Sequence, residues 1–190
     1  MTEKADHDET TRRLRTVGRA LVITASNRAA AGVYPDRGGP VLAEGLRDLG
    51  FEVDGPLVVR DGEPVAQALR DAVLKPYDVV LTTGGTGLSP TDLTPEATRG
   101  VLEREVPGIA EAIRSQGTAA GIATAALSRG LAGLAGRTLI VNLPGSVGGC
   151  RDGLRVLDGM LVHAVDQIRG GDHAVGVNQQ PEGGPMTDHD

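Results

Sequence analysis

Residues 77–97 constrain this chain more than any other part of its sequence. Three apolar residues at 79–81 give way abruptly to a loop of threonine and glycine at 82–87, and residues 94–96 (Thr-Pro-Glu) have the pattern of a helix start. Glycines allow backbone N–H groups to approach an anion closely, and a helix N-terminus attracts negative charge. The pattern therefore predicts a strand, a phosphate-binding loop and a helix in succession.

Two acidic residues give this loop a chemical meaning. Asp92 lies between the loop and the helix start, and Asp61 follows the preceding apolar run. A carboxylate beside a bound phosphate repels it unless a cation such as Mg²⁺ lies between them. Taken singly, each aspartate is also suited to capping the helix that follows it. Taken together, they predict a metal-assisted nucleotide or phosphoester site.

Apolar runs alternate with amphipathic patterns along the chain. Strands are predicted at residues 20–24, 57–59, 79–81, 131–134 and 138–141, the last two forming a hairpin. Helices are predicted at residues 41–49, 65–73, 97–115 with a break near Pro107, and in one long final helix through residues 154–168. Continuous apolar strands between helices indicate a mainly parallel sheet that is covered on both sides. We therefore predict an α/β three-layer sandwich with helices on both faces.

The loops that follow the strands are the candidate binding elements, because such sheets bind ligands beyond their carboxyl ends. Ser26 follows the first strand, in a segment that also fits a plain turn. The loop after the final strand precedes a helix, and a structural turn and a ligand loop explain it equally well. Asp36 is either an acid near the site or a turn former. Ser128 and Arg129 precede the hairpin at positions from which they could reach a ligand.

Composition excludes several classes of protein. The net charge of −6 argues against general nucleic-acid binding, which needs a basic face. Cys150 is the single cysteine, which fits a reducing compartment. We find neither a signal-peptide pattern nor an apolar run of membrane-spanning length, so a cytoplasmic protein is expected. Residues 1–16 and the acidic residues 170–190 are predicted to be flexible tails around one domain at residues 17–169.

Four segments in order identify a resemblance. TTGGTGLSPTDLTPEAT, VPGIAEAIR, ALSRG and LIVNLPGS resemble the molybdenum-cofactor biosynthesis family, which includes Mog-type molybdopterin adenylyltransferases, MoaB proteins and the G domains of gephyrin-like proteins. The resemblance covers roughly residues 19–168. It implies a molybdopterin-binding fold, usually trimeric, that uses molybdopterin and Mg-ATP. The implied reaction transfers AMP from ATP to the terminal phosphate of molybdopterin and releases pyrophosphate.

The resemblance also implies roles for individual residues. Asp61 and Asp92 match the family's essential acidic pair, with catalytic and Mg²⁺-binding roles. Asn27 stands where the family usually has an acid, and Val147 stands where a proline often follows the serine. The residues that match nucleotide- or substrate-binding positions are Ser26, Thr83, Gly84, Gly85, Thr86, Gly87, Asn142, Pro144, Gly145 and Ser146.

Two other functions are alternatives. A MoaB-like or gephyrin-like member would bind the pterin or act as a scaffold with little turnover, and other cofactor-biosynthesis proteins would then be partners. A nicotinamide oxidoreductase would carry G-x-G-x-x-G after the first strand. The segment found there, TASNRAAAG, has no such glycines, so this class ranks last.

Overall fold

A computed structural model of the chain describes residues 16–171. Nearly all of both predicted tails, residues 1–15 and 172–190, lies outside the described residues. The strands in the described range are β1 (Gly18–Ala25), β2 (Phe51–Val59), β3 (Val79–Thr83), β4 (Arg104–Glu105), β5 (Ala132–Ala135) and β6 (Thr138–Leu143). The helices are α1 (Asn27–Ala30), α2 (Gly38–Asp48), α3 (Glu63–Val73), α4 (Thr94–Arg99), α5 (Pro107–Ala119), α6 (Val147–Asp158) and α7 (Leu161–Ile168), with a 3₁₀ helix at Ala123–Leu127.

The six strands form one sheet in the order β2-β1-β3-β6-β5-β4. The four strands β2, β1, β3 and β6 are parallel, while β5 runs antiparallel to both β6 and β4. In the middle of the sheet Val22 pairs with Leu81, which pairs in turn with Val141. The mainly parallel sheet predicted from the continuous apolar runs is therefore confirmed.

Helices cover both faces of this sheet, because successive side chains of a strand point to opposite sides. Val22 of β1 packs into a cluster with residues of α2, α5, α6 and α7. Ile23, the next residue, packs into a second cluster with residues of α3. Both side chains are fully buried, and the core is almost entirely aliphatic. The three-layer α/β sandwich is confirmed.

Three element boundaries differ from the predictions. The segment predicted as a helix at residues 97–115 has the predicted break near Pro107, but its outer bounds lie further out: α4 begins at Thr94, and α5 begins at Pro107 and ends at Ala119. The predicted long final helix ends at Asp158 and resumes at Leu161; Leu157 and Leu161 enter the same apolar cluster, which explains the unbroken spacing. Strand β2 begins at Phe51, before its predicted start. It is an edge strand, and its exposed residues interrupt the apolar run from which the strand was predicted.

The parallel strands end together at one edge of the sheet. The N–H of Ser26, just after β1, donates to the carbonyl of Val59 at the end of β2 (2.9 Å). The N–H of Gly84, just after β3, donates to the carbonyl of Leu143 at the end of β6 (3.2 Å). These hydrogen bonds hold the end of β1 beside that of β2 and the end of β3 beside that of β6. The loops that follow the four strands form the candidate site.

Candidate functional site

Two adjoining cavities open at this carboxyl edge. The larger has a volume of about 700 Å³, and the loops after β1, β2 and β3 contribute to its wall. The smaller has a volume of about 370 Å³ and lies between the β3 and β6 loops, α5 and the 3₁₀ helix. Both volumes are in the range of small-molecule sites. Gly85, Asp92 and Gly145 line both cavities, and we call these three residues the shared wall.

Two consecutive glycines of the β3 loop have backbones that other residues adopt only under strain. Gly84 and Gly85 have φ angles of +93° and +62°. A Cβ on Gly84 would lie 2.2 Å from the carbonyl oxygen of Ala25. A Cβ on Gly85 would lie 1.9 Å from Oδ2 of Asp61. Glycine is therefore required at both positions, because the loop passes directly against the end of β1 and the Asp61 carboxylate.

Asp61 lies just before α3 and is held by neighbours on both sides. Its Oδ1 accepts hydrogen bonds from the N–H of Gly62 (2.7 Å) and the hydroxyl of Thr94 (3.0 Å). Burial raises the pKa of the Asp61 carboxyl above its usual value, and the negative charge of Asp92 adds to the rise. The two carboxylates are thus close enough to interact electrostatically, as the sequence predicted.

Asp92 is fixed less tightly and faces both cavities. Its Oδ2 accepts a hydrogen bond from the N–H of Ser89 (3.1 Å). Within residues 16–171 no group of three acidic, histidine or cysteine side chains is arranged to hold a metal. Mg²⁺ is commonly held by one or two carboxylates, with substrate phosphates and water completing its coordination. Asp61 and Asp92 fit that donor set, whereas they do not form an all-protein metal cage.

The residues after β1 form one side of the larger cavity. The Ser26 hydroxyl caps α1 by accepting a hydrogen bond from the N–H of Ala29 (3.1 Å). The Asn27 side-chain oxygen accepts from the N–H of Asp61 (3.2 Å). The Asn27 amide therefore helps to place the backbone of Asp61. Both residues line the cavity.

Asp36 combines the two roles that the sequence left open. Its Oδ2 accepts a hydrogen bond from the Thr24 hydroxyl (2.8 Å), and its Oδ1 accepts from the N–H groups of Gly38 (3.1 Å) and Gly39 (3.0 Å). These bonds fix the start of α2 against the end of β1. Asp36 also lines the larger cavity.

The loop after β6 packs tightly against the β3 loop. The Thr83 hydroxyl donates to the carbonyl of Pro144 (2.8 Å), and a Cβ on Gly145 would lie 3.1 Å from Cα of Gly84. Ser146 caps α6 by accepting a hydrogen bond from the N–H of Gly149 (3.0 Å). Pro144, Gly145 and Ser146 line the smaller cavity, so the predicted substrate loop and the predicted phosphate loop meet.

Asn142 is the one predicted binding residue that lines neither cavity. Its side chain is only 2% exposed, and its amide nitrogen donates to the hydroxyls of Thr82 and Thr98 (both 2.9 Å). Its side-chain oxygen accepts from the N–H of Leu131 (3.1 Å). These bonds tie β6 to β3, to α4 and to the residue just before β5. The observed role of Asn142 is to support the loop, and a role in binding stays a prediction.

Arg129 binds the segment that carries Asp92. Its guanidinium donates to the carbonyls of Gly87 (2.8 Å) and Asp92 (2.6 Å) and pairs with Glu96, while its own N–H donates to the carbonyl of Thr86 (2.8 Å). The hydrogen bond from Arg129 lowers the pKa of the Glu96 carboxyl. The observed role of this side chain is to hold the loop that carries Asp92, and a contact of Arg129 with ligand stays a prediction. Nothing in its sequence neighbourhood indicated these partners.

These features define a class of protein: an α/β sandwich whose parallel sheet presents a glycine loop and two carboxylates to adjoining cavities, a site suited to phosphate-bearing ligands. Comparison with known proteins then identifies the family. Residues 21–162 match the family model described as "Probable molybdopterin binding domain". The chain belongs to this family, as the sequence motifs predicted.

Individual relatives agree with this assignment. The Mog protein of Mycobacterium ulcerans, a solved structure, is 51% identical with a TM-score of 0.77, covering 82% of this chain and 99% of that chain. A molybdopterin adenylyltransferase of Helicobacter pylori is 35% identical over 78% of this chain and 86% of its own. The Drosophila melanogaster molybdenum cofactor synthesis protein cinnamon is 39% identical over 77% of this chain. The chain spans only 25% of cinnamon, and about half of the bifunctional molybdenum cofactor biosynthesis proteins that it also matches.

No helix within residues 16–171 is long and apolar enough to cross a lipid bilayer.

Proposed function

We propose that this protein is a molybdopterin adenylyltransferase in molybdenum cofactor biosynthesis. A terminal phosphate oxygen of molybdopterin attacks the α-phosphorus of ATP, the bond from that phosphorus to the bridging oxygen breaks, and pyrophosphate leaves. Adenylylated molybdopterin is the second product. The observation that carries the proposal is the shared wall, because two cavities that meet at Asp92 and the glycine loop suit a reaction that joins two phosphate-bearing substrates.

The larger cavity is assigned to ATP and the smaller to molybdopterin. Asp61 and Asp92 would hold Mg²⁺, which when bound neutralises part of the triphosphate charge. The backbone N–H groups of residues 85–87 would hold phosphate oxygens. The N–H of Gly84 would not, because it already donates to the carbonyl of Leu143. Reactions of this type depend on positioning and charge neutralisation more than on a protein nucleophile. This agrees with the interior position of Cys150, which is fully buried.

The roles of the remaining binding residues follow from their positions. Ser26 would contact the nucleotide from the β1 side of the larger cavity. Residues 144–146 would contact molybdopterin in the smaller cavity, with Thr83 and Asn142 holding that loop in place. Thr86 lines the smaller cavity and would contact the pterin's phosphate.

The test is to incubate the purified protein with molybdopterin and Mg-ATP and to follow pyrophosphate and adenylylated pterin. We expect stoichiometric release of pyrophosphate with the pterin product, dependent on added Mg²⁺. Pterin binding without either product would contradict the proposal and favour the alternative, a MoaB-like or gephyrin-like binding or scaffold function.

We also propose that the protein acts in the cytoplasm as a homotrimer, with one domain at residues 17–169. The single cysteine supports a reducing compartment, and the family resemblance supports the trimer. Light scattering coupled to size-exclusion chromatography tests the oligomer: a mass of three chains is expected, and a monomer mass would refute it.

A further inference from the structure

Aromatic side chains are rare in this protein, and one of them lines the larger cavity. The chain has three: Phe51, Tyr77 and Tyr34. Phe51 and Tyr77 are buried in the core, at 4% and 8% exposure. Tyr34 is 43% exposed and forms part of the cavity wall that also carries Asp61 and Asp92. Among the three, Tyr34 is therefore the one that lines the cavity assigned to the nucleotide.

The ring of Tyr34 is held in a defined position rather than left to move freely. The Arg28 guanidinium lies over it at 4.9 Å from the ring centroid, an attractive cation–π arrangement. The Tyr34 hydroxyl is 3.4 Å from the Ser26 hydroxyl, which is itself fixed as the cap of α1. Arg28 also lines the cavity, so the pair presents two planar groups to it.

The backbone on both sides of Tyr34 is anchored as well. Before it, the N–H of Val33 donates to the carbonyl of Arg28 (2.9 Å). After it, Pro35 restricts the backbone, and Asp36 is bound by Thr24 and the start of α2. A pre-ordered ring costs little further entropy when a ligand stacks on it.

We propose that Arg28 and Tyr34 form a stacking platform for the heteroaromatic base of the bound nucleotide. This inference rests on the proposed function, since it assumes that the larger cavity takes ATP. Aromatic rings and guanidinium planes both accept a stacked base, and every base offers a π-face. The platform thereby supplies the base contact that no motif in the sequence indicated.

The pterin ring is the other heteroaromatic group in the reaction, but the cavities separate the two. None of the three aromatic residues lines the smaller cavity, where Pro144 and Ser146 lie. The platform shares its cavity with both carboxylates and the glycine loop. A base on the platform and a triphosphate at Asp61 and Asp92 would occupy one continuous space of about 700 Å³.

Calorimetric titration with two probes tests the platform: Mg-ATP, which has a base, and magnesium tripolyphosphate, which has none. Tyr34→Ala should weaken ATP binding by between about 5- and 150-fold, the range for loss of one stacked base. It should leave tripolyphosphate affinity unchanged. Tyr34→Phe keeps the ring and should lose much less ATP affinity than Tyr34→Ala. Val33→Ala, an exposed neighbour outside the cavity lining, is the control for disturbance of the segment.

Each other outcome would overturn the inference. Unchanged ATP affinity in Tyr34→Ala would show that the ring makes no contact with the base. An equal loss of affinity for ATP and for tripolyphosphate would show a general disturbance of the cavity. A lower affinity for molybdopterin with unchanged ATP affinity would place the pterin on the platform. Failure of the proposed function is separate: it appears as absence of adenylylated product from a wild-type protein that still binds ATP through Tyr34.

Discussion

Replacing Asp61 with asparagine separates the chemical role of this carboxylate from its structural role. The asparagine oxygen can still accept the hydrogen bonds from Gly62 and Thr94 that Asp61 accepts at 2.7 and 3.0 Å. The substitution therefore removes the negative charge while keeping these two hydrogen bonds. If that charge holds Mg²⁺ against the triphosphate, turnover should fall by about 100- to 1000-fold, as for removal of one preorganised electrostatic group.

The stability of this variant should not fall with its activity. The folded-state pKa of Asp61 is raised above its ordinary value, mainly by burial and also by the charge of Asp92. Stability from such a group is fully present below the unfolded-state pKa and is lost as pH rises through the folded-state pKa. At pH 7 the charged carboxylate therefore disfavours folding, and asparagine removes that cost. We expect the metal-free Tm of Asp61→Asn to be no more than about 2 °C below wild type.

The assay measures pyrophosphate release with molybdopterin and Mg-ATP, beside thermal unfolding of the metal-free protein. Asp61→Ala is the comparison, because it loses both hydrogen bonds and should also be destabilised by about 1–3 kcal/mol. Asp48→Asn, an exposed carboxylate of α2 outside both cavities, should behave as wild type. Near-normal turnover in Asp61→Asn would refute the metal assignment, and a Tm loss equal to that of Asp61→Ala would refute the burial argument.

Other predictions concern the supports of the site. Gly85→Ala should lower turnover about 100-fold by displacing Asp61. Gly170 also has a positive φ (+84°) but open space around it, so Gly170→Ala should cost only about 1–2 kcal/mol of folding stability. Equal turnover in the two variants would contradict this prediction. Arg129→Ala should lower kcat at least as much as it raises KM, because the loop carbonyls lose their hydrogen-bond donor. Arg129→Lys should keep part of the rate that the alanine variant loses. Equal kcat values in the alanine and lysine variants would refute the positioning role. The Cys150 thiol, whose pKa is raised by burial, should react with a disulfide reagent far more slowly in native than in guanidinium-unfolded protein, and rapid native labelling would contradict its placement.

The central strands could be predicted because their patterns are local. Residues 79–81 are a continuous apolar run, and burial on both faces demands such a run. Strand β4 left no pattern, because Arg104 and Glu105 are both exposed and the strand is defined only by backbone pairing with β5. The strand order is equally invisible in sequence, since it depends on which crossovers the whole chain makes.

The same distinction applies to the site. Asp61, Asp92 and the glycine loop could be predicted to lie together at the cavities because residue type and position after a strand indicate their place. Asn142 was expected at the ligand, but its partners are contributed by segments distant in sequence and place it in the interior. The guanidinium of Arg129 is likewise explained by carbonyls some 40 residues away. For both residues, residue type alone could not distinguish support of a loop from contact with a ligand.

A crystal structure with Mg²⁺ and the unreactive analogue α,β-methylene-ATP would test the central claim most directly. The account predicts that the metal binds Asp61 and Asp92 and that the α-phosphorus lies at the shared wall, open to the smaller cavity. A nucleotide bound elsewhere, or an α-phosphorus closed off from the smaller cavity, would contradict the account.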